Sequence, residues 1–229
     1  MFKNTFFIAG TDTGVGKTLV STIMLEAAKA RGMSAYGLKP VAAGAEKEGD
    51  NWVNEDAQLL RKHSSVELPY EQVNPVLLHG AKAPHIAAEE EGRRVDIERL
   101  EGVCRGALMN KADFRVIEGA GGWRVPVNRR QMLSQLPKSL QIPVVLVVGL
   151  RLGCINHALL TAEAIINDGL KLAAWVANTI DPTMLSTEEN IEALTGLLPA
   201  PCLGVVPWEP AAKVELLASN IDLNPLQLQ

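Results

Sequence analysis

Residues 6–20, "FFIAGTDTGVGKTLV", decide the fold. An apolar run ends at a glycine, a polar glycine-rich turn follows, and "GKT" opens a segment with helical periodicity. The phosphate-binding loop pattern, G-x-x-x-x-G-K-[ST], places a glycine six residues before the lysine. Counted back from Lys17, that position is Thr11, and the glycine lies one residue earlier, at Gly10. The stretch either fails the pattern or is a phosphate-binding loop lengthened by one residue.

The surroundings of the loop favour a lengthened loop over a plain turn with an exposed lysine. A strand precedes it, a helix follows it, and "GKT" is unbroken. Backbone N–H groups at such a helix start bind phosphate, the lysine meets the β- and γ-phosphates, and the threonine hydroxyl meets Mg²⁺. The added segment, Thr11, Asp12 and Thr13, carries hydroxyls and a carboxylate, which favours contact with a ligand besides ATP.

Composition excludes several classes of protein. The chain has 229 residues, 47% apolar and 21% charged, with a net charge of -4. Nucleic-acid binding usually needs a basic face, so we expect no nucleic-acid partner. The longest apolar run, around residues 144–148, is too short to span a bilayer, so we expect no membrane partner. We expect one domain over residues 1–229.

Cysteine usage and the N-terminal sequence predict a cytoplasmic protein. The three cysteines are widely spaced, and no C-x-x-C pair occurs. The first residues lead directly into a strand, without a basic segment and a long apolar one, so we expect no export signal.

Strand and helix patterns alternate along the chain. Strand patterns occupy residues 5–9, 35–38, 114–117, 143–148, 172–176 and 203–206. Helical patterns occupy residues 17–29, 96–111, 156–167 and 187–197. This alternation predicts an α/β fold, a doubly wound, mostly parallel sheet flanked by helices like that of P-loop NTPases. Ligands of such sheets bind outside the carboxyl ends of the strands, where the polar glycine-rich segments fall.

Three further charged residues lie at strand or helix ends. Glu118 ends a strand in "FRVIEGAGGW", which suits a carboxylate that holds Mg²⁺ directly or through water. The alternative is a surface acid before a plain turn. Lys39 ends the strand of "LKPVAAG" and would face phosphates, although most lysines are solvated surface groups. Asp56 opens a helix, and its local sequence favours a helix cap.

The segment "LGCINH" leads into a helix with Asn156 as the predicted N-cap. Free N–H groups at Gly153, Cys154 and Ile155 would bind a carboxylate. Plain helix capping explains the same residues, and locally both interpretations stay open. The four histidines lack metal-ligand spacing, so we expect none of them to hold a metal: His63, His79, His85 and His157.

Taken together, the motifs resemble the dethiobiotin synthetase family, almost from end to end. They are "GTDTGVGKT" (10–18), "KPVAAG" (39–44), "VNP" (73–75), "PHIAA" (84–88), "EGAGGW" (118–123), "RLGCINHALLT" (151–161), "WVAN" (175–178) and "VPW" (206–208). The lengthened loop is highly specific for this family.

The resemblance implies an ATP- and Mg²⁺-dependent ligase of biotin biosynthesis. Its substrates would be 7,8-diaminopelargonic acid, CO₂ and ATP, and its products dethiobiotin, ADP and phosphate. One amine would form a carbamate with CO₂, the γ-phosphate of ATP would activate the carbamate as a carbamic–phosphoric anhydride, and the second amine would close the ring. A homodimer is implied, with active sites at the subunit interface.

The resemblance also implies the roles of individual residues. Catalytic roles fall to Lys17, Lys39 and Thr13, and Mg²⁺ binding to Thr18, Asp56 and Glu118. ATP would be bound by Gly14, Val15, Gly16, Lys17, Thr18, Leu19, Asp56, Glu118, Gly119, Ala120, Gly121, Asn178, Thr179, Pro207, Trp208 and Glu209. The diamine would be bound by Thr13, Lys39, Ala43, Gly153, Cys154, Ile155 and Asn156, with the last four reaching across the dimer. For Asp56 the implied metal role replaces the cap favoured by local sequence.

Three positions depart from the family pattern. Ala43 stands where serine or threonine is common, so a hydroxyl contact to substrate is missing. Gly14 stands where some members have glutamate, and Arg151 replaces the lysine of "KLGCINH".

Two other classes of protein fit less well. A partitioning-type ATPase needs a lysine five residues before the loop lysine, and that position is Asp12 here. A cobyrinate-type amide ligase normally carries a glutaminase domain, for which this chain has no room.

Overall fold

The computed structural model describes residues 2–228. The strands are β1 (Thr5–Gly10), β2 (Ala35–Leu38), β3 (Val41–Ala43), β4 (Glu46–Glu48), β5 (Asn51–Val53), β6 (Val76–Leu78), β7 (Phe114–Glu118), β8 (Val144–Leu150), β9 (Leu172–Thr179) and β10 (Cys202–Val206). The helices are α1 (Lys17–Ala30), α2 (Glu55–His63), α3 (Tyr70–Val73), α4 (Pro84–Glu90), α5 (Ile97–Leu108), α6 (Gln135–Leu140), α7 (Cys154–Asn167), α8 (Thr187–Leu197) and α9 (Val214–Leu217).

Within the described residues, six strands form one parallel sheet in the order β10-β9-β8-β1-β7-β2. The predicted doubly wound α/β class is therefore confirmed. Two smaller sheets lie outside it, a parallel β3–β6 pair and an antiparallel β4–β5 hairpin. Strand β8 is buried along its whole length, as its unbroken apolar sequence requires in a sheet covered on both faces.

Alternation along β1 divides the core into two layers. Phe6 and Ile8 belong to the cluster formed with α1, whereas Phe7 and Ala9 belong to the cluster formed with α5 and α7. Successive side chains of a strand point to opposite faces, so one strand serves both layers. Each large apolar side chain buried in this way stabilises the fold by about 1.5–3 kcal/mol.

The sequence patterns missed most of the structure between residues 40 and 95. Strands of three residues, such as β3 and β6, are too short to show a periodicity. Helix α7 begins at Cys154, and its N-cap is Gly153 in the left-handed region (φ 92°), so the prediction of Asn156 as the cap was wrong. No helix within residues 2–228 combines the length and the apolar character needed to cross a membrane.

The sheet brings the predicted site segments together. β7 lies beside β1, with Ile8 paired to Glu118, so the acid stands next to the end of the strand that leads into the phosphate loop. β2 lies beside β7, with Leu38 paired to Ile117, which brings Lys39 to the same edge. The carboxyl ends of three adjacent parallel strands therefore surround one volume.

We predict that Gly204→Ala destabilises the fold by about 2–4 kcal/mol, because its backbone is strained for other residues and the added methyl has no room. Gly204 has φ 152°, and a Cβ there would lie 1.8 Å from the carbonyl oxygen of Asn220. The measurement is the free energy of unfolding in urea.

Gly196→Ala is the matched control. Gly196 lies in α8, and a Cβ there meets nothing within 4 Å. We expect the free energy of unfolding of this variant to rise by about 0.5–1 kcal/mol, because alanine favours the helix more than glycine does. Equal unfolding free energies for the two variants would contradict the assignment of strain to Gly204.

Candidate functional site

The loop between β1 and α1 presents backbone N–H groups to one small volume. Gly14 and Gly16 adopt φ 73° and 85°, in the left-handed region that glycine adopts without cost. Gly16 is the N-cap of α1, and no side chain caps this helix end. An uncapped helix N-terminus that follows a glycine-rich turn is a ready anion site.

Lys17 lies inside this loop rather than on the surface. It is 7% exposed, and its Nζ donates to the carbonyl oxygen of Asp12 at 3.0 Å. Burial, followed by the nearby charge of Lys39, lowers the pKa of Lys17 to about 8. Because burial disfavours the charged form of Lys17, an anion bound beside it would stabilise that form.

A second buried lysine joins the two carboxylates at the sheet edge. Lys39 Nζ lies 2.5 Å from Glu118 Oε1 and 2.7 Å from Asp56 Oδ2, and it donates to the carbonyl oxygen of Gly119 at 3.2 Å. Burial alone would lower the pKa of Lys39, but Glu118 and Asp56 outweigh it and raise the pKa. Burial would likewise raise the pKa of Asp56, and Lys39 holds it below its ordinary value.

Oxygen ligands for a hard cation meet at the same point. Thr18 Oγ1 donates to Glu118 Oε1 at 2.8 Å. Glu118 Oε2 is buried and has no hydrogen-bond partner among residues 2–228. A buried carboxylate oxygen without a partner is costly unless something binds it. Hydroxyl and carboxylate oxygens are the donors that Mg²⁺ prefers, so these residues fit the ion.

The local prediction that Asp56 caps a helix was wrong. The N-cap of α2 is Asn54, whose side chain accepts from the backbone N–H of Ala57 at 3.3 Å. Asp56 lies in the first turn, and its carboxylate is paired with Lys39 instead. The sequence "NEDAQ" contains both candidates, and only the tertiary contact distinguishes them.

These groups line one cavity of about 850 Å³. Eleven of the predicted site residues line it: Thr13, Gly14, Gly16, Lys17, Thr18, Lys39, Ala43, Asp56, Glu118, Ala120 and Gly121. The cavity also takes residues 81–84 and 124–126, for which no role was predicted. The first of these segments includes Pro84 of the family motif "PHIAA". The motif therefore indicated that the segment belongs to the family pattern, but it did not indicate a role in the site.

The segments predicted to hold the base of ATP lie outside this lining. Asn178 and Thr179 end β9, and Pro207, Trp208 and Glu209 follow β10. Asn178 packs beneath the loop, where its Nδ2 donates to the carbonyl oxygen of Val15 at 2.8 Å. Its Oδ1 is buried without a partner within the described chain. Trp208 is half exposed.

Four other predicted residues are also separate from the cavity, at the start of α7. Gly153, Cys154, Ile155 and Asn156 do not line it. The N–H of Cys154 donates to the carbonyl oxygen of Arg151 at 3.0 Å, so the prediction that it is free was wrong. Arg151 in turn reaches the phosphate loop, where its Nη2 lies 2.6 Å from Asp12 Oδ2.

Two curated relatives match this chain over nearly its full length. The ATP-dependent dethiobiotin synthetase BioD of Cellvibrio japonicus is 55% identical over 226 residues, which cover 99% of each chain. The protein of that name from Marinobacter nauticus is 47% identical over 231 residues, again covering 99% of each. A family model described as an AAA domain matches residues 4–215.

Solved structures of low identity share the fold. MinD of Pyrococcus horikoshii, in complex with Mg-ADP, aligns with a TM-score of 0.56 at 19% identity and covers 95% of this chain and 86% of its own. A ParA family ATPase from Chlorobium tepidum aligns with a TM-score of 0.54 at 11% identity, covering 95% and 90%. Both support the P-loop NTPase fold and, at these identities, nothing finer.

We predict that Gly16→Ala weakens the binding of a non-hydrolysable nucleoside triphosphate by about thirty-fold or more, as expected for 2 kcal/mol of strain and clash. A Cβ at Gly16 would lie 2.1 Å from Asn178 Nδ2. Titration calorimetry measures the dissociation constant.

Gly14→Ala is the control, because Gly14 shares the left-handed backbone but a Cβ there meets nothing within 4 Å. We expect it to lose only about five-fold in affinity. A Gly14→Ala loss as large as that of Gly16→Ala would show that the contact with Asn178 is unimportant.

Proposed function

The chain belongs to the ATP-dependent dethiobiotin synthetase family, and from this membership we propose that it converts 7,8-diaminopelargonic acid, CO₂ and ATP into dethiobiotin, ADP and phosphate. The observation that carries the proposal is the cavity in which the lengthened phosphate loop meets Lys39, Asp56 and Glu118. A phosphate site and a cationic site for a carbamate then share one volume. Such a site catalyses by positioning its reactants and by stabilising developing charge.

The reaction would proceed in three steps. An amine of the substrate attacks CO₂ and loses a proton, which gives a carbamate. A carbamate oxygen attacks the γ-phosphorus of ATP, the bond to ADP breaks, and a carbamic–phosphoric anhydride forms. The second amine attacks the carbamate carbon, loses a proton and expels phosphate, which closes the ring.

The two lysines would stabilise the negative charge in these steps. Lys17 lies within the loop, where it would meet the γ-phosphate. Because the lysine is buried, an anionic partner would stabilise its charge. Lys39 stays protonated between its carboxylates and would lie against the carbamate. Thr13 lines the same cavity and would contact the diamine and the transferred phosphoryl group.

Thr18, Asp56 and Glu118 would hold Mg²⁺. The partnerless Glu118 Oε2 and the neighbouring Thr18 hydroxyl are the observations that support this set. Bound there, the ion would neutralise charge on the phosphates of ATP. Lys39 now pairs with both carboxylates, so it would share them with the ion.

The remaining ATP contacts would come from backbone groups and from the purine segments. Gly14, Gly16, Ala120 and Gly121 line the cavity, and they would approach the phosphates together with Val15, Leu19 and Gly119. Asn178, Thr179, Pro207, Trp208 and Glu209 would frame the adenine. The partnerless Oδ1 of Asn178 supports an acceptor there for an amino group.

A homodimer would complete the site. The start of α7, Gly153–Asn156, does not line the cavity of its own chain, so its backbone, apart from the N–H of Cys154 that Arg151 holds, would serve the carboxylate of substrate in a partner. An apolar exposed face accompanies it: Leu152 is 96% exposed and Leu160 57%. Leu152 lies in the turn before α7 and Leu160 in the helix itself, and large exposed apolar side chains grouped in this way are typical of interfaces.

Two smaller expectations belong to the same proposal. Ala43 lines the cavity without a hydroxyl, so any contact from this position to substrate uses its backbone. We place the reaction in the cytoplasm, because the three cysteines of the described chain are free thiols, as is usual in a reducing compartment.

We predict that purified protein with Mg²⁺-ATP and bicarbonate makes dethiobiotin from 7,8-diaminopelargonic acid, measured by mass spectrometry. Lys17→Ala and Lys39→Ala should each lower kcat/KM by about a hundred-fold or more, since each removes a charge aimed at the transition state. Ala43→Ser is the control, and it should change the rate by less than about three-fold, roughly the effect of one weak hydrogen bond.

No dethiobiotin from the unmodified protein would overturn the proposal. ATP turnover that instead requires DNA or lipid would favour a partitioning-type ATPase. Near-equal effects of Ala43→Ser and Lys39→Ala would refute the role given to the lysine.

We predict that the protein elutes at about twice its chain mass of 24.7 kDa, and that Leu160→Glu shifts it to the monomer mass. Leu160 lies four residues after Asn156, hence on the same face of α7, and a carboxylate there opposes burial against a partner. Leu216→Glu in α9 is the control, because Leu216 is 71% exposed on another element. Multi-angle light scattering gives the masses, and a monomeric unmodified protein would refute the dimer.

A further inference from the structure

Asp12 is the residue through which the added part of the loop is fixed. Its Oδ1 accepts the N–H of Thr13 at 2.8 Å, and its carbonyl oxygen accepts Lys17 Nζ at 3.0 Å. Its Oδ2 lies 2.6 Å from Arg151 Nη2. One residue thus contacts two residues that follow it in the loop and a third that lies 139 positions away.

Arg151 connects this loop to another part of the molecule. It directly follows β8, and its carbonyl oxygen accepts the N–H of Cys154, the first residue of α7. The guanidinium reaches back to the loop while the backbone holds the helix start. The Asp12–Arg151 pair is therefore a direct link between the phosphate loop and the start of α7.

We propose that the Asp12–Arg151 ion pair is a positioning device that holds the Thr11–Thr13 extension of the loop, and with it Thr13, against the start of α7. The inference rests on the proposed function, because Thr13 is there given a place beside the diamine. Arg151 does not line the cavity, whereas Asp12 does, so the arginine acts on substrate only through Asp12 and its neighbours. The effect of the pair passes through the bond from Thr13 N–H to Asp12 Oδ1.

The geometry separates this role from binding of the phosphates. The carboxylate of Asp12 contacts Thr13 and Arg151, whereas Lys17 contacts only the backbone carbonyl oxygen of Asp12. Loss of the pair should therefore disturb the diamine more than ATP. A shift of an ångström in a reacting group is enough to lower a rate about a hundred-fold.

The pair is too exposed to matter much for stability. Its side chains are 41% and 46% exposed, and pairs of this kind contribute little to folding because solvent screens them. A second pair of similar build lies elsewhere: Arg31 Nη2 and Asp222 Oδ1 are 2.7 Å apart, with side chains 31% and 54% exposed. It provides a matched control that does not touch the loop.

The test compares Arg151→Gln with Arg31→Gln in steady-state kinetics and thermal melting. We expect Arg151→Gln to lower kcat/KM for the diamine by about ten-fold or more, while KM for ATP changes less than about three-fold. Its melting temperature should fall by no more than about 3 °C. Arg31→Gln should match the unmodified enzyme in both substrates.

Two further variants test whether the pair acts as a unit. Arg151→Lys keeps the charge and should restore most of the diamine kcat/KM. The double variant Asp12→Asn with Arg151→Gln should be no worse than the more impaired single variant, because the two changes remove one interaction.

The outcomes distinguish the positioning role of the Asp12–Arg151 pair from the proposed function of the protein. If Arg151→Gln behaves like Arg31→Gln, the positioning role is overturned while the proposed function stands. Equal losses for ATP and diamine, a melting temperature that falls in step with activity, additive single variants, or no rescue by lysine would also overturn it. An unmodified protein that makes no dethiobiotin overturns the proposed function and this inference together.

Discussion

The rest of the site depends on a buried ammonium held between two carboxylates at the edge of the sheet. Lys39 and Glu118 are almost fully buried, and neither charge would be tolerated there alone. Each residue ends or directly follows its strand, so the pair joins β2 and β7 at the level where both strands end. Asp56 joins from α2 and fixes that helix to the same point. Buried charges with a high desolvation cost are often found at functional sites, and these two line the cavity.

The phosphate loop solves a related problem with backbone rather than charge. Gly10, Gly14 and Gly16 let the chain turn closely enough for Lys17 to fold back over it, and Asn178 fills the space beneath Gly16. Lys17 is buried beside Lys39, and its burial, followed by the nearness of the second cation, lowers the pKa of Lys17. An anion between the two lysines relieves both the burial and the repulsion. The cavity is therefore electrostatically suited to an anionic ligand.

The six strands of the main sheet and four of its flanking helices could be predicted from the sequence, because an apolar run or a helical period of several turns marks each of them. The strand of residues 35–38 and the helix of residues 187–197 were predicted with the bounds that the structure has. Apart from the helix start near Asp56, the stretch between residues 40 and 95 could not be predicted, because three-residue strands and one-turn helices leave no period to detect. Local sequence also failed at Asp56 and Asn156, where a polar residue near a helix start looked like a cap. In the first case the deciding contact comes from Lys39, and in the second from a left-handed glycine.

The solved neighbours show why the fold alone says little about what such a protein does. MinD and ParA family structures align over nearly the whole chain at identities below 20%, so these proteins share the fold. The function therefore has to be argued from the chemistry at single positions of that scaffold. Position 12, where a partitioning-type loop needs a lysine, holds an aspartate, and its charge is met by Arg151 of the same chain. A cation at position 12 would be repelled by that arginine, whereas the acid is tied down by it. The added residue and the acid at position 12 therefore lie in one segment, and the contact with Arg151 anchors that segment within the chain.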